Sequence, residues 1–454
     1  MTSSTPLFAQ SDPQFAGDHR RALTRRLVLG RGAALGAAIA AACTPEDSGG
    51  APAPSAKEVT LAYFTDWSGG TRADWVKTAF PKFTEENPKI TVQTEFAQGD
   101  AKAAALANAA AGTLSDVLLG GGDAPHFLAK AGALPDVMPT LKNLRFKMDD
   151  IVWIPSTVQV KGKQYGLPFQ WNYWTRVINK TLFQQAGVPL PTDKTTWPQL
   201  AEAMQKISKP EQDVWGIETG TSLWHWFPTL WAYGGEAIST DQKKTLLDQP
   251  AAIEGLQFYI DMMQRQRVAT PMDEKGAIPS TAKFANGNVA VSHANSPGRG
   301  LDGQVGGKFP WDVIQFPLGP RTGKRSVFVS EQPNIVTTNA VKKGQLEQAV
   351  KLIAWCCSSK TAQELLLDIG TNSWPTSKAV LNSPKYLAGP PPSVKLMVDM
   401  IKDFKDPQIF QGWIEWRTEL SNALNPAFAG QQAVATAARE ATRAGDVVLT
   451  KYAS

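Results

Sequence analysis

Tryptophan, amide and carboxylate side chains are the groups in this sequence that could recognise a ligand together. The chain has 15 tryptophans against 7 tyrosines, although tryptophan is commonly the scarcer of the two. Flat aromatic rings can cover the apolar faces of a sugar ring, and Asp, Glu, Asn and Gln side chains can accept hydrogen bonds from neighbouring hydroxyl groups. Candidates of both kinds lie after predicted strands or where the chain is predicted to cross between domains. They are Trp67, Ser68, Asp123, Gln170, Asn172, Tyr173, Trp224, Trp226, Trp231, Asn295, Glu331 and Trp374.

Each candidate also has a purely structural interpretation. For a single tryptophan a place in the core is the commoner outcome, and Trp67 could cap the first sheet. Asp123 follows three glycines and could be the N-cap of the next helix. Trp224, Trp226 and Trp231 lie in one predicted helix, where residues two apart face different ways. We therefore expect one or two of these three at the ligand and the rest in the core.

Catalytic motifs are absent from the sequence, with one possibility left open. The three histidines after residue 43 are widely spaced and form no HExxH or HxxxH pair. No GxSxG occurs, and the triple-glycine loop lacks the GK[ST] of a phosphate-binding loop. A glycosidase would need two carboxylates roughly 5–10 Å apart, and Asp66, Asp123 and Glu331 could converge. We expect a protein that is not an enzyme and that uses no cofactor or metal.

Length and composition predict a globular chain of two domains. A single ordinary core does not extend over 454 residues. Five arginines and two aspartates precede Cys43, which leaves 41 basic against 39 acidic residues in the remainder. Because this remainder has no basic block, we expect no nucleic-acid partner. Cys356 and Cys357 are adjacent in a predicted helix, which favours two buried thiols over a strained disulfide.

Residues 1–42 have the pattern of an export signal. Arg25 and Arg26 with the following Leu-Val-Leu resemble the twin-arginine signal, and a weakly apolar Ala/Gly run comes next. The run ends in three alanines before Cys43, which resembles a bacterial lipoprotein box. Residues 43–56 are predicted to be a flexible tether. We expect lipidation at Cys43 and attachment to the outer face of the cell membrane; the alternative is a disordered N-terminus with a chance cysteine.

The first part of the mature chain predicts a parallel, doubly wound lobe. Residues 59–64, 90–96 and 116–119 are strand-like, and a helical pattern follows each of them. This β-α-β-α-β-α order is typical of a parallel sheet with helices on both faces. Ligands bind at the carboxyl ends of such strands. Trp67 and Asp123 lie just past two of these ends.

Residues 165–200 are predicted to contain the first crossing between two lobes. Residues 165–169 would end the first lobe, 170–174 would face a cleft, and 177–187 would be the first strand and helix of the second lobe. In an extended segment Trp171 and Tyr173 share a face opposite Trp174. We predict Asn172 and Tyr173 as ligand contacts, although both can face the same way only if the segment bends.

The later part of the chain is predicted to return to the first lobe. Residues 326–329 and then 334–337 would make this return, and Glu331 between them is polar amid an apolar run. Residues 371–376 would be a loop at a late crossing, which favours ligand contact for Trp374 as well as for Glu331. The tail, residues 413–452, is predicted to be helical with breaks at Gly430 and Gly445.

Several segments, in order along the mature chain, match a known family. They are VTLAYFTDW with FTEENPKI, DVLLGGGDAPHFLAKAGAL, YGLPFQWNYWTRVINKTLFQQAGVPLPTDKTTWPQLAEA, FANGNVAVSHAN, QLEQAVKLIAWCCSSKTAQELL and SWPTSKAV. The chain therefore resembles the extracellular solute-binding proteins of family 1, the sugar-binding lipoproteins of ABC importers. The resemblance implies a two-lobed α/β fold of the periplasmic-binding-protein type (type II-like), each lobe a sheet flanked by helices, with the ligand cleft between the lobes.

The resemblance also implies a division of the chain and a role for it. Residues 57–169 and 332–372 would form lobe 1, and residues 170–331 and 373–454 would form lobe 2. The protein would act as a monomer that captures a mono- or oligosaccharide in the cleft and delivers it to ABC permease subunits. A surface adhesin or a sensor-coupled binding protein stays as an alternative, as does a secreted carbohydrate-active enzyme.

One segment departs from the pattern of the family. Many of its sugar binders have an aromatic residue near a glycine after the strand at 289–292, whereas this chain has Asn295-Ser-Pro-Gly-Arg299. Arg299 is the basis of a second hypothesis, in which the ligand is anionic, such as a glycerol phosphate ester. Its alternative interpretation is a solvated loop arginine.

Overall fold

The computed structural model describes residues 58–270, 282–295, 299–371 and 373–453. Its strands are β1 (Val59–Thr65), β2 (Ile90–Phe96), β3 (Val117–Leu119), β4 (Gln159–Val160), β5 (Lys163–Gln164), β6 (Gly166–Asn179), β7 (Trp215–Ile217), β8 (Val289–Asn295), β9 (Trp311–Ile314), β10 (Val327–Val336), β11 (Trp374–Pro375) and β12 (Phe404–Lys405). Its helices are α1 (Gly70–Glu86), α2 (Ala101–Ala111), α3 (Ala124–Lys130), α4 (Met138–Asn143), α5 (Pro155–Val158), α6 (Lys180–Gln185), α7 (Trp197–Ile207), α8 (Leu223–Ala232), α9 (Pro250–Gln264), α10 (Ala282–Ala285), α11 (Arg299–Val305), α12 (Thr338–Lys342), α13 (Leu346–Ser358), α14 (Lys360–Asp368), α15 (Lys378–Leu381), α16 (Pro384–Leu387), α17 (Val394–Asp399), α18 (Trp413–Phe428) and α19 (Val434–Tyr452).

A mixed sheet with the strand order β2-β1-β3-β10-β6-β8-β7 connects the described parts of the chain. β1 pairs in parallel with β2 and β3, and α1, α2 and α3 follow these three strands in turn. The predicted β-α-β-α-β-α order is therefore confirmed. β10 pairs antiparallel with both β3 and β6, and β8 pairs antiparallel with β6 and parallel with β7.

β6 and β10 are long strands that belong to both halves of this sheet. Leu167 and Phe169 of β6 pack in one hydrophobic core, whereas Trp171 and Tyr173 pack in another. The two segments predicted to return the chain to the first lobe, 326–329 and 334–337, lie in or next to one continuous strand, β10. Pro333 has no N–H to donate, and the ladder accommodates it by a register shift after residue 332.

Separate hydrophobic cores cover the two ends of β6. The first is built on β1, α1 and α13 and includes Trp75, and the second is built on α7, α8, α9, α18 and α19 and includes Leu230 and Leu420. Cys356 and Cys357 are fully buried in the first core as free thiols. The prediction of two buried thiols is thus confirmed.

Side-chain caps explain where the helices after β6 begin. The Asn179 carboxamide oxygen accepts hydrogen bonds from the backbone N–H groups of Thr181 and Leu182, so β6 passes into α6 without a loop. Thr196 and Gln199 form a reciprocal capping box at the start of α7, each side chain accepting from the other's backbone N–H.

Two predictions about the C-terminal part are corrected by its packing. Gly430 does follow the end of α18, but Gly445 lies inside α19. A Cβ at Gly445 would lie 2.8 Å from Trp416 Nε1, so glycine is required there by close contact and not by a chain break. Trp374 and Pro375 pair with β6 where the sequence predicts only a loop. Within the described ranges, no helix is both long enough and apolar enough to cross a membrane.

Candidate functional site

Three strand segments lie side by side between the two cores: residues 170–174 of β6, residues 329–332 of β10, and β11. We call this set the crossing. Strand alternation gives it one face that carries five side chains, which we call the polar face. Ser330 is exposed there, and most of its neighbours on that face are half-buried. The members of the polar face are Gln170, Asn172, Trp174, Ser330 and Gln332.

The amide groups of the polar face leave two acceptor oxygens available. Gln332 Oε1 accepts hydrogen bonds from Trp67 Nε1 at 3.3 Å and from Gln170 Nε2 at 2.7 Å. By contrast, Gln170 Oε1 and Asn172 Oδ1 accept no hydrogen bond from the described residues. Since buried acceptors are generally satisfied in folded proteins, these oxygens suit hydroxyl donors of a ligand.

An aromatic platform lies next to these amides. The rings of Trp174 and Trp224 stack with centroids 5.8 Å apart and planes 19° apart, and both side chains are half-buried. The sequence prediction includes Trp224 and Asn172 but omits Trp174 from the ligand set. Strand alternation could have found it, because Trp174 lies two residues after Asn172 and shares its face.

The opposite face of the crossing is packed into the second core. The Tyr173 hydroxyl donates to the Met397 carbonyl at 2.5 Å, and its ring centroid lies 4.3 Å from that of Trp374. Glu331 accepts a hydrogen bond from the Thr157 hydroxyl, and burial raises the pKa of Glu331 well above its usual value. Tyr173, Glu331 and Trp374 are thus in the core on the face away from Asn172. Their assignment as ligand contacts stays a prediction.

Two tryptophans of α8 are also in the core. Trp226 is buried and donates from Nε1 to the Thr221 carbonyl at 3.1 Å. Trp231 is buried against Phe328, with centroids 6.2 Å apart and near-parallel planes. Of the three tryptophans predicted in this helix, only Trp224 borders the polar face. The expectation that one or two of the three contact a ligand stays a prediction.

The candidates at the ends of β1 and β3 differ in exposure. Ser68 is exposed, whereas Trp67 is buried with its ring centroid 5.1 Å from that of Phe169. Asp123 occupies the N-cap position of α3, but its side chain makes no capping hydrogen bond and pairs with Lys102 at 2.7 Å. The N-cap position considered for Asp123 is therefore the one it occupies, although its side chain is engaged by Lys102 and not by the helix backbone. The Asp123 carboxylate is thus held in an ion pair between the end of β3 and the start of α3.

A buried basic pocket beneath Trp174 is a feature that the sequence prediction missed. It consists of Arg176 on β6, His225 on α8 and His293 on β8. Arg176 and His293 are cross-strand partners, and the rings of His225 and His293 have centroids 5.0 Å apart. The sequence signal available for it was a charged residue, Arg176, directly before the apolar pair Val177-Ile178 of β6.

Other predicted groups lie apart from this site or beyond the described structure. The side chains of Asn295 and Arg299 and the whole of Cys43 lie outside the described residues. Among the residues that the structure describes, no group of three or more His, Cys, Asp or Glu side chains could hold a metal ion. Of the three carboxylates weighed for a glycosidase, Glu331 faces the core and Asp123 is held by Lys102.

Comparison with known proteins identifies the family. The profile of the bacterial extracellular solute-binding proteins matches residues 78–391. The chain belongs to this family. The solute-binding protein is 24% identical to a binding protein of Brucella abortus (strain 2308) over 379 residues, which are 81% of this chain and 88% of that one. It is 25% identical to a mannitol-binding protein of Pseudomonas aeruginosa over 279 residues, 54% of this chain and 57% of that one.

A solved structure has the same fold as this solute-binding protein. The cyclic alpha-maltosyl-1,6-maltose binding protein of Arthrobacter globiformis superposes with a TM-score of 0.72 at 21% identity, over 87% of this chain and 100% of that chain. The predicted two-lobed α/β fold of the periplasmic-binding-protein type is thereby confirmed. The resemblance inferred from the sequence is confirmed too, and with it an extracytoplasmic location.

Proposed function

We propose that this solute-binding protein captures a carbohydrate or polyol between its two lobes and delivers it to the permease subunits of an ABC importer. The observation that carries the proposal is the polar face. There, Gln170 Oε1 and Asn172 Oδ1 are available acceptors beside the stacked rings of Trp174 and Trp224. The known ligands of similar proteins, mannitol and a cyclic maltosyl-maltose, support a hydroxyl-rich ligand.

The proposed ligand contacts follow the chemistry of each group. Trp174 and Trp224 would stack on the apolar faces of sugar rings, and the two amide oxygens would accept hydrogen bonds from hydroxyl groups. Ser68 and Asp123 would contribute from the ends of β1 and β3, where ligands bind in parallel sheets.

Capture is proposed to proceed by closure of the lobes about the crossing. Lobe 1 would comprise residues 57–169 and 332–372, and lobe 2 would comprise residues 170–331 and 373–454. A ligand that touches both lobes binds the closed form more tightly and therefore shifts the population towards it. The permease would recognise this closed form of a monomeric protein.

The membrane attachment is proposed from the sequence of the N-terminus. Residues 1–42 would act as a lipoprotein-type export signal of the twin-arginine class, and Cys43 would carry the lipid. Residues 43–56 would then tether the binding domain to the outer face of the membrane. Mass spectrometry of the protein from its native membrane would test this, since an unmodified Cys43 would contradict it.

A ligand screen followed by one pair of variants tests the proposed capture. Neutral mono-, di- and trisaccharides and mannitol are added to the mature protein, and a bound ligand raises the melting temperature. Calorimetric titration of the best ligand then compares Asn172→Ala with Asn422→Ala, which changes an exposed asparagine of α18. We expect Asn172→Ala to weaken binding roughly 10-fold, the usual contribution of one hydrogen bond, and Asn422→Ala to have no effect.

Two outcomes of these experiments would contradict the proposal. One is the absence of any thermal shift with the whole panel. The other is turnover, detected as new reducing ends from an oligosaccharide and abolished by Asp123→Asn, which would make the protein a carbohydrate-active enzyme.

A further inference from the structure

Three side chains of the basic pocket are almost completely buried. The exposed fractions are 1% for Arg176, 5% for His225 and 7% for His293. Arg176 makes no ion pair with any carboxylate of the described residues, although buried charges in folded proteins are normally paired. The pocket therefore holds a positive charge whose partner does not belong to the described part of the chain.

The surroundings of Arg176 do not replace a counter-ion. Its guanidinium lies 5.8 Å from the Trp197 ring centroid and 5.3 Å from that of Phe316, which partly offsets burial through cation–π attraction. However, Nε and Nη1 of Arg176 find no hydrogen-bond acceptor among the residues that the structure describes. The neighbouring Tyr259 hydroxyl is engaged with the Gly220 backbone, and burial raises its pKa, so it does not supply an anion.

The two histidines add hydrogen-bonding capacity to the same place. Both ring nitrogens of His225 and Nδ1 of His293 have no partner among the described residues. Burial, reinforced by neighbouring positive charge, lowers the pKa of His225 well below its usual value and that of His293 to about 3. Both rings are therefore neutral near pH 7, and each has one N–H to donate.

The pocket lies directly beneath the proposed ligand platform. The ring centroid of Trp174 is 4.9 Å from that of His293 and 6.2 Å from that of His225. A ligand stacked on Trp174 would therefore have a substituent within reach of the pocket. For that substituent to enter, the Trp174 ring would have to move away from the two imidazoles.

We propose that the ligand of this protein carries a carboxylate or phosphate group, and that Arg176 is the counter-charge for it, with His225 and His293 as hydrogen-bonding partners. The inference rests on the proposed carbohydrate capture and narrows the ligand class to acidic carbohydrates. Arg176 suits this role because a planar guanidinium binds both oxygens of a carboxylate or phosphate.

Matched pairs of ligands test the inference in the wild-type protein. Neutral mono-, di- and trisaccharides are compared with their uronate and phosphate counterparts by calorimetric titration of the mature protein. We expect the best acidic ligand to bind roughly 10- to 100-fold more tightly than its neutral parent, the range for a charged hydrogen-bonding group. Tighter binding of the phosphate or of the uronate identifies which acidic group the protein recognises.

Variants of Arg176 test whether the preference for acidic ligands depends on the basic pocket. Arg176→Met keeps an unbranched, apolar stem and removes the charged guanidinium, and it should abolish the preference for the acid. Arg176→Lys should keep part of the preference, and Arg443→Met, at an exposed position of α19, should keep all of it. Because removing an unpaired buried charge does not weaken a core, we also expect Arg176→Met to unfold no more easily than the wild type without ligand.

The possible failures are distinguishable. Equal or tighter binding of neutral sugars by the wild type, or an unchanged acid preference in Arg176→Met, would overturn this inference and leave carbohydrate capture intact. If Arg176→Met does not fold, the wild-type pairs and Arg176→Lys still decide the ligand class. Binding of no sugar of either class would refute the proposed function and the inference together.

Discussion

Glu218→Gln should make the stability of the protein less sensitive to pH. Glu218 follows β7, on the chain that leads into α8 and Trp224, and its side chain is fully buried. Burial raises its pKa from an ordinary 4.5 to about 7, although a hydrogen bond from the Ser292 hydroxyl opposes this shift. Glutamine has nearly the same shape and cannot ionise, so it isolates the effect of the proton.

The direction and the size of this pH effect on stability follow from the pKa of Glu218 in the folded and in the unfolded chain. Below about pH 4.5 the carboxyl is protonated in both the folded and the unfolded chain, and it makes no pH-dependent difference. As the pH rises towards 7, the unfolded chain releases its proton first, so the folded state loses stability. A shift from 4.5 to about 7 corresponds to about 3 kcal/mol once both states are ionised.

The assay is urea unfolding of the wild type and the variant between about pH 5 and about pH 8. The free energy of unfolding of Glu218→Gln should rise relative to the wild type by about 2–3 kcal/mol over this interval. Glu85→Gln, at an exposed position of α1, is the control and should follow the wild type. If the free energies of unfolding of the wild type and of Glu218→Gln change in parallel with pH, burial does not raise the pKa of Glu218.

Two further predictions test the crossing and the closure. Tyr173→Phe removes the hydrogen bond to the Met397 carbonyl and should lower the free energy of unfolding by about 1 kcal/mol without changing ligand affinity; an affinity loss of about 10-fold would instead make Tyr173 a ligand contact. Small-angle X-ray scattering should show a smaller radius of gyration with a saturating ligand than without it, and identical curves would contradict closure of the lobes.

Local sequence signals predicted most of the elements near the site. The order of strands and helices predicted for the first part of the mature chain is that of the structure, because apolar spacing and end signals agree there. Segments 326–329 and 334–337 were predicted separately, and only the pairing of β10 with β3 and β6 shows that one strand continues through a register shift. Gly445 was predicted as a break from its residue type alone, whereas glycine is needed there because of the close contact with Trp416.

The candidate site was predicted in part. Alternation along residues 170–174 correctly separated Tyr173 from Trp174, but it did not tell which face would be covered by the second core. That depends on Phe404 and Trp374, which lie more than 200 positions away and pack on Tyr173. The same limit hid the basic pocket, because His225, His293 and Arg176 are brought together only by α8 and β8.

The sequence by itself determined the family, the order of strands and helices in the first part of the mature chain, and the strand-forming segment that spans both hydrophobic cores. These depend on periodicity, end signals and motif order, which are local or ordered along the chain. Only the tertiary structure decided which side chains are buried in the cores and which lie on the polar face. Asn172 and Trp174 differ from Tyr173 in this respect because burial is set by partners distant in sequence. The unpaired charge of Arg176, likewise, is a property of its neighbours and not of its place in the strand.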